Sequence, residues 1–135
     1  MSVNKFNAEG YFDPTAYKAM EAVAKEEQAQ KAFRPIVYIC SSYAGDIETN
    51  TVAARRYSRF AVSNGYIPLA PHLLFPQFLN DENPEERQLG LFFGNVLMSK
   101  CAEVWVFGET ISPGMNAEIK RAKCKGYRIR YFTME

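Results

Sequence analysis

Four short apolar runs, separated by stretches of helical spacing, constrain this chain more than any other feature. They are PIVYIC at 35–40, YIPLA at 66–70, AEVWVFG at 102–108 and YRIRYF at 127–132. The first and third are continuous and rich in β-branched and aromatic residues, as strands covered on both faces are. YIPLA carries Pro68, which lacks a backbone N–H and suits an edge position. YRIRYF alternates polar and apolar residues and ends the pattern as a fourth strand.

Helical spacing fills the intervals. From Ile47 to Ser63, Val52, Arg56 and Arg59 fall on different faces from Ala53, Tyr57, Phe60 and Ala61, and Asn64-Gly65 is a stop signal. A second helix is predicted from Pro84 to Lys100, with acids at its start and a lysine in its last turn. Leu89, Phe92, Phe93, Val96 and Leu97 give it a broad apolar stripe. A third runs from about Gly114 to Lys125 and closes at Gly126. Before all of these, Asp13-Pro14 reads as a helix start. Tyr17, Met20, Ala24 and Ala29 there make one modest stripe on an amphipathic helix that Pro35 stops. It would lie on the main body or serve as a dimer arm.

The order is therefore helix, then β-α-β-α-β-α-β. Such alternation predicts an α/β fold: a flavodoxin- or Rossmann-like parallel sheet of four to five strands flanked by helices, with an extra N-terminal helix. Residues 1–34 read as the helical extension and 35–135 as the α/β domain. Ligands of such sheets lie outside the carboxyl ends of the strands. That rule selects SSYAGD (41–46), APHLLF (70–75) and GETISPGMNAE (108–118). Residues 71–84, PHLLFPQFLNDENP, read as a proline-punctuated loop of lid-like length.

Composition narrows the function. At 135 residues and 47% hydrophobic, the chain can bury a core, which excludes disorder. Sixteen basic against fifteen acidic residues leave a net charge of +1. That removes the electrostatic case for a nucleic-acid polymer or an anionic membrane, but not for one small anion. No apolar run reaches the roughly 18 residues of a membrane helix, and MSVNKFNAEG has no apolar signal core. A cytoplasmic location is the expectation. Cys40, Cys101 and Cys124 are widely spaced, with His72 the one histidine, so reduced buried thiols fit better than a metal site or disulfides. No cofactor motif is present: both the P-loop and G-x-G-x-x-G spacings are missing.

Five groups of residues are weighed for chemistry. Ser41, Ser42, Tyr43 and Gly45 form a strand-to-helix turn suited to a phosphate or to an ordinary bend. In SPGMNAEIKRA, Gly114 and Asn116 permit close backbone approach. Glu118 is placed in the first helical turn, where the dipole favours an ionised carboxylate able to attack a sugar carbon. Equally, it could be a helix-start acid paired with Arg121. His72, after the second strand, could donate to a base or a phosphate. Leu73, Leu74, Phe75, Phe78, Leu79 and Leu91 read as core or interface, and Lys120, Arg121, Lys123, Lys125, Arg128 and Arg130 as a solvated basic face.

With VYICSSYAG and SPGMNAEIKRA in place, residues 35–132 resemble the nucleoside 2-deoxyribosyltransferase superfamily. Among its members they look most like the deoxynucleoside 5′-monophosphate N-glycosidases and short bacterial and phage relatives. The resemblance implies Glu118 as nucleophile, with Tyr38 orienting it, in N-glycosidic bond hydrolysis or deoxyribosyl transfer. Ser42, Gly45 and Ser112 would touch phosphate or sugar. Ser112 stands six positions before the glutamate, where the glycosidases have serine and the transferases aspartate. It also implies a nucleoside or nucleotide ligand and a homo-oligomer that completes the pocket. Two positions depart: Asn95 replaces the acid that protonates the leaving base, worth roughly 10²–10⁴-fold, and Ala44 replaces an arginine. Asp46 or His72 are the candidate substitutes for the acid. A nucleotide-binding module without turnover is the alternative, and an assembly protein using its 73–79 segment a third reading.

Overall fold

The computed structural model describes residues 14–30 and 33–134. The chain falls into two compact units divided between Phe33 and Arg34. The first contains α1 (Pro14–Gln30), with Tyr17 half-buried and Met20 and Ala24 exposed. Asp13 and the side chain of Ala29 lie outside the described residues.

The second unit holds the sheet. Its strands are β1 (Ile36–Cys40), β2 (Ile67–Leu69), β3 (Glu103–Phe107) and β4 (Arg128–Phe132). All pairs are parallel, in the order β2-β1-β3-β4. The two continuous apolar runs take the centre: β3 is buried at every residue, and β1 at all but Ile36. Pro68 sits on edge strand β2, and β4, with exposed Arg128 and Tyr131, closes the other edge.

The helices follow from direction. After β1 the chain turns outward through α2 (Ile47–Ser63) to β2. It then crosses back through α4 (Pro84–Met98) to β3 and onward through α5 (Pro113–Cys124) to β4. Right-handed crossovers put opposite directions on opposite faces. Accordingly, Ala61, Tyr57 and Phe60 of α2 pack with Val37, Ile39, Trp105 and Phe107. Met98 of α4 and Met115, Ile119 and Ala122 of α5 pack with Tyr38, Cys40, Val104 and Val106. The crossover direction reverses between β1 and β3.

Polar caps fix where the helices begin. Asp46 accepts from the Thr49 N–H (3.1 Å) and hydroxyl (2.8 Å) at the start of α2. Asn83 accepts from the Glu85 and Glu86 N–H groups at α4. Ser112 accepts from the Met115 N–H (3.2 Å) at α5. Each satisfies a donor that the first turn leaves open.

Several expectations need correcting. Residues 71–77 are not loop but a short helix, α3 (Pro71–Leu74), running into a 3₁₀ turn (Phe75–Gln77); Pro71 starts the helix and Pro76 sits in the turn. Helix α4 ends at Met98, so Lys100 lies beyond its last turn. Leu89, Phe92 and Val96 of its predicted core stripe are exposed, because α4 turns Gly94 and Met98 inward instead. Cys124 is exposed at the end of α5. Arg121 is half-buried, and Arg130, though its side chain stays 42% exposed, lies over the Trp105 and Phe132 rings and reaches Glu103 at 3.8 Å. Among the described residues, no helix is long and apolar enough to cross a membrane.

Candidate functional site

Where the crossovers change direction, a cleft of about 760 Å³ opens between α3, α4 and the start of α5. Tyr38, Ser41, Tyr43, His72, Asn95, Ser112, Gly114 and Glu118 all line it. Three other candidates do not. Ser42 turns its hydroxyl to the Met115 sulfur at 3.3 Å. Gly45 serves the turn itself, with φ +98°. Asn116 is exposed on α5.

Glu118 is the sixth residue of α5, in its second turn, because Ser112 caps the helix and Pro113 begins it. The first-turn placement is thereby corrected, and so is its electrostatic consequence. Burial disfavours the charged carboxylate and pushes its pKa up to about 7. Two donors partly oppose that push: the Tyr38 hydroxyl and the Cys40 thiol, whose sulfur is 3.9 Å from Oε1. Strand alternation supplies both, since residues 38 and 40 of β1 share a face. Burial, with the carboxylate beside them, holds the phenol and thiol above their ordinary values, so both remain proton donors. No ion pair joins Glu118 to Arg121, which rules out the pairing reading. The Arg121 side chain lines the cleft, and its buried Nε has no hydrogen-bond partner among the described residues.

Gly94 explains how α4 comes this close. A Cβ there would stand 3.3 Å from the Tyr38 hydroxyl oxygen. One turn earlier, Gly90 would meet Leu79 at 3.5 Å. The next residue, Asn95, lines the cleft with an amide that can donate a hydrogen bond but cannot act as an acid.

At the end of β1, Asn50 ties down the turn by donating to the carbonyls of Tyr43 (3.0 Å) and Ala44 (3.2 Å). The Tyr43 and His72 rings stack, with centroids 4.9 Å apart. Burial lowers the His72 pKa, with the Ser41 backbone and Asp81 partly opposing it, so the ring is neutral near pH 7. Asp46 is committed to its helix cap and is fully exposed outside the cleft. It is not a substitute acid. His72 does line the cleft, where burial works against its charged form.

Sequence reasoning missed Cys40 as a donor, Gly94 as the space for Tyr38, and Arg121 as a cleft residue. Cys40 had a signal: it stands two residues from Tyr38 on one strand. Gly94 had a weaker one, a glycine inside an apolar helical run. Phe75, Leu79 and Leu91, read as core or interface, line the cleft. No group of three or more His, Cys, Asp or Glu side chains among the described residues could hold a metal ion.

The model of a family described as a domain of unknown function, DUF7768, matches residues 35–132. No curated protein matches the chain.

Proposed function

We propose that this chain, which belongs to the DUF7768 family, cleaves or transfers the N-glycosidic bond of a nucleoside or nucleotide, with Glu118 as nucleophile. One observation carries the reading. A carboxyl held to a pKa of about 7 faces a cleft of nucleoside size at the switch point, with two side-chain donors aimed at it. Perturbed titratable groups in clefts of this kind mark reactive sites.

In this reaction the Glu118 carboxylate forms a bond to the anomeric carbon as the C1′–N bond breaks. The bonding pair leaves with the base, which takes a proton from water. Hydrolysis of the glycosyl ester, or attack by a second base, then frees the carboxylate. Tyr38 positions the carboxylate through its hydroxyl, and Ser112 keeps a hydroxyl proton to offer sugar or phosphate. With Asn95 unable to act as an acid, bases that leave readily as anions are favoured.

The test is base release from a panel of nucleosides and nucleotides, followed by chromatography. Release should rise with pH to a midpoint near 7 and fall at least about a thousand-fold in Glu118→Ala. A second reading, binding without turnover, draws support from Asn95. Calorimetric binding with no release from any member of the panel would establish it in place of catalysis. The setting we propose is cytoplasmic. A second copy of the chain is the proposed partner, supported by Leu89, Phe92 and Val96 recurring on one exposed side of α4; a monomeric mass in light scattering would remove it.

A further inference from the structure

The reaction leaves one buried proton donor beside Glu118 without a role. Cys40, the last residue of β1, is fully buried. Its sulfur stands 3.9 Å from Oε1 of Glu118 and 3.8 Å from the carbonyl oxygen of Met115. The two acceptors belong to residues three apart on α5, so one turn of that helix offers both to one thiol. A helical carbonyl has a second lone pair beyond the one its intrahelical bond uses, so the Met115 oxygen is free to accept.

A thiol carries a single proton and cannot serve two acceptors fully at once. Charge decides between them, because a hydrogen bond to an ionised oxygen is about twice as strong as one to a neutral oxygen. We propose that Cys40 is a positioning residue for Glu118 whose S–H changes acceptor with the charge of the carboxyl. It donates to Oε1 while the carboxyl is ionised. It donates to the Met115 carbonyl while the carboxyl is neutral, as the acid or as the glycosyl ester. The thiol is thereby paired in every state, as buried polar groups almost always are.

The use of this exchange in catalysis rests on the N-glycosidic reading; the exchange itself rests on the two distances. The carboxylate is charged before it attacks carbon and again when the ester is resolved. The thiol therefore orients Oε1 for attack and stabilises the carboxylate as it leaves, and it releases the ester between the two. Tyr38, on the same face of β1, is the other donor to Glu118. Arg121 of α5 forms no ion pair with it among the described residues. Asp81, Glu86, Arg87 and His72, which share the cleft, are not among the groups that hold the carboxyl.

The experiment follows the S–H stretching band by infrared spectroscopy in the full chain carrying Cys101→Ala and Cys124→Ser, so that Cys40 is the one thiol left. The band should move to lower frequency as pH rises through about 7. With Glu118→Gln added, it should keep its low-pH position throughout. A band that ignores pH, or one that moves equally with Glu118→Gln, overturns the inference and leaves Glu118-dependent base release standing. A moving band in a protein that releases no base keeps the exchange and removes the catalytic reading. Two substitutions read the same contact from the carboxyl side: Cys40→Val fills the space without a donor, and Cys40→Ala leaves it empty. In both, the carbon-13 midpoint of Glu118 should rise by about half a pH unit or more. Base release at pH 6 should fall about threefold or more, while that at pH 9 stays within about twofold. A midpoint raised in Cys40→Ala and restored in Cys40→Val would make the residue a packing group and overturn the inference.

Discussion

Along β1, Val37 and Ile39 pack on one side of the sheet and Tyr38 and Cys40 on the other. The first side is sealed. Trp105 and Phe107 of β3 meet Tyr57, Phe60, Tyr66 and Phe132 in a continuous aromatic layer, with Tyr57 and Phe107 stacked at 4.4 Å. Its polar contacts lie at one edge: the Trp105 indole N–H donates to Glu103 at 3.0 Å, and Arg130 covers the Trp105 and Phe132 rings and pairs with Glu103. The second side uses smaller aliphatic and sulfur-bearing residues, and it brings a phenol and a thiol to a carboxyl. One face is filled to exclude everything. The other is left open beside α4, and burial there holds the Glu118 carboxyl protonated at a pH where water would leave it charged. The comparison separates the residues that hold the fold from those that hold the site, though they alternate along the same strand.

The sealed face should show the largest effect on stability. Trp105→Ala removes the largest fully buried side chain. A loss of about 3–5 kcal/mol in urea unfolding follows. The pH midpoint of base release in the surviving folded protein should stay near 7. A loss below about 1 kcal/mol, or a moved midpoint, would break the division between the faces.

The open face should behave in the reverse way, with its key residue opposing stability. The folded pKa of Glu118 is about 7, against an ordinary 4.5 in the unfolded chain. The folded state therefore binds this proton more tightly. That contribution is fully present below about pH 4.5 and is lost as pH rises through 7. Glu118→Gln mimics the protonated form. It should leave stability unchanged at pH 4 and raise it above pH 7 by about 2–3 kcal/mol, relative to wild type at the same pH. Equal urea midpoints for the two proteins at pH 8 would show that the carboxyl is not held against its preference.

These contrasts were unequally visible in the sequence. The strands, the edge position of β2 and the α2 span were legible in the sequence: burial on both faces leaves runs such as IVYIC and VWVF without a polar residue, and Pro68 marks the edge. The segments bordering the cleft follow from the rule that ligands lie beyond the strands' carboxyl ends. What escaped was set by small shifts of frame. Capping by Ser112 starts α5 at Pro113, moving Glu118 into the second turn, where burial outweighs the dipole. Pro71 starts a helix in a segment that composition alone marks as loop. The rotation of α4, which exposes Phe92 and turns Gly94 inward, depends on three-dimensional packing that a stripe of apolar residues on several sides of one helix leaves undetermined.

Gly94 gives the smallest effect on stability and the finest test of how the two faces differ. On the sealed face an added methyl group would overpack. On the open face it would meet a single hydroxyl, that of Tyr38, at 3.3 Å. In Gly94→Ala the gain in helix propensity is about 1 kcal/mol. The Tyr38 ring must yield by a few tenths of an ångström, so the net change should stay within about 1 kcal/mol of wild type. Chemistry should be more sensitive than stability. The Tyr38 hydroxyl stabilises the charged form of Glu118, and displacing it weakens that hydrogen bond. The midpoint of base release should therefore climb above 7, and the rate at pH 7 should drop about two- to tenfold while unfolding barely moves. A carbon-13 titration of the Glu118 carboxyl reads the same midpoint without turnover. A midpoint that stays in place there would mean that burial alone sets the carboxyl, and that the phenol on β1 belongs with the packing residues after all.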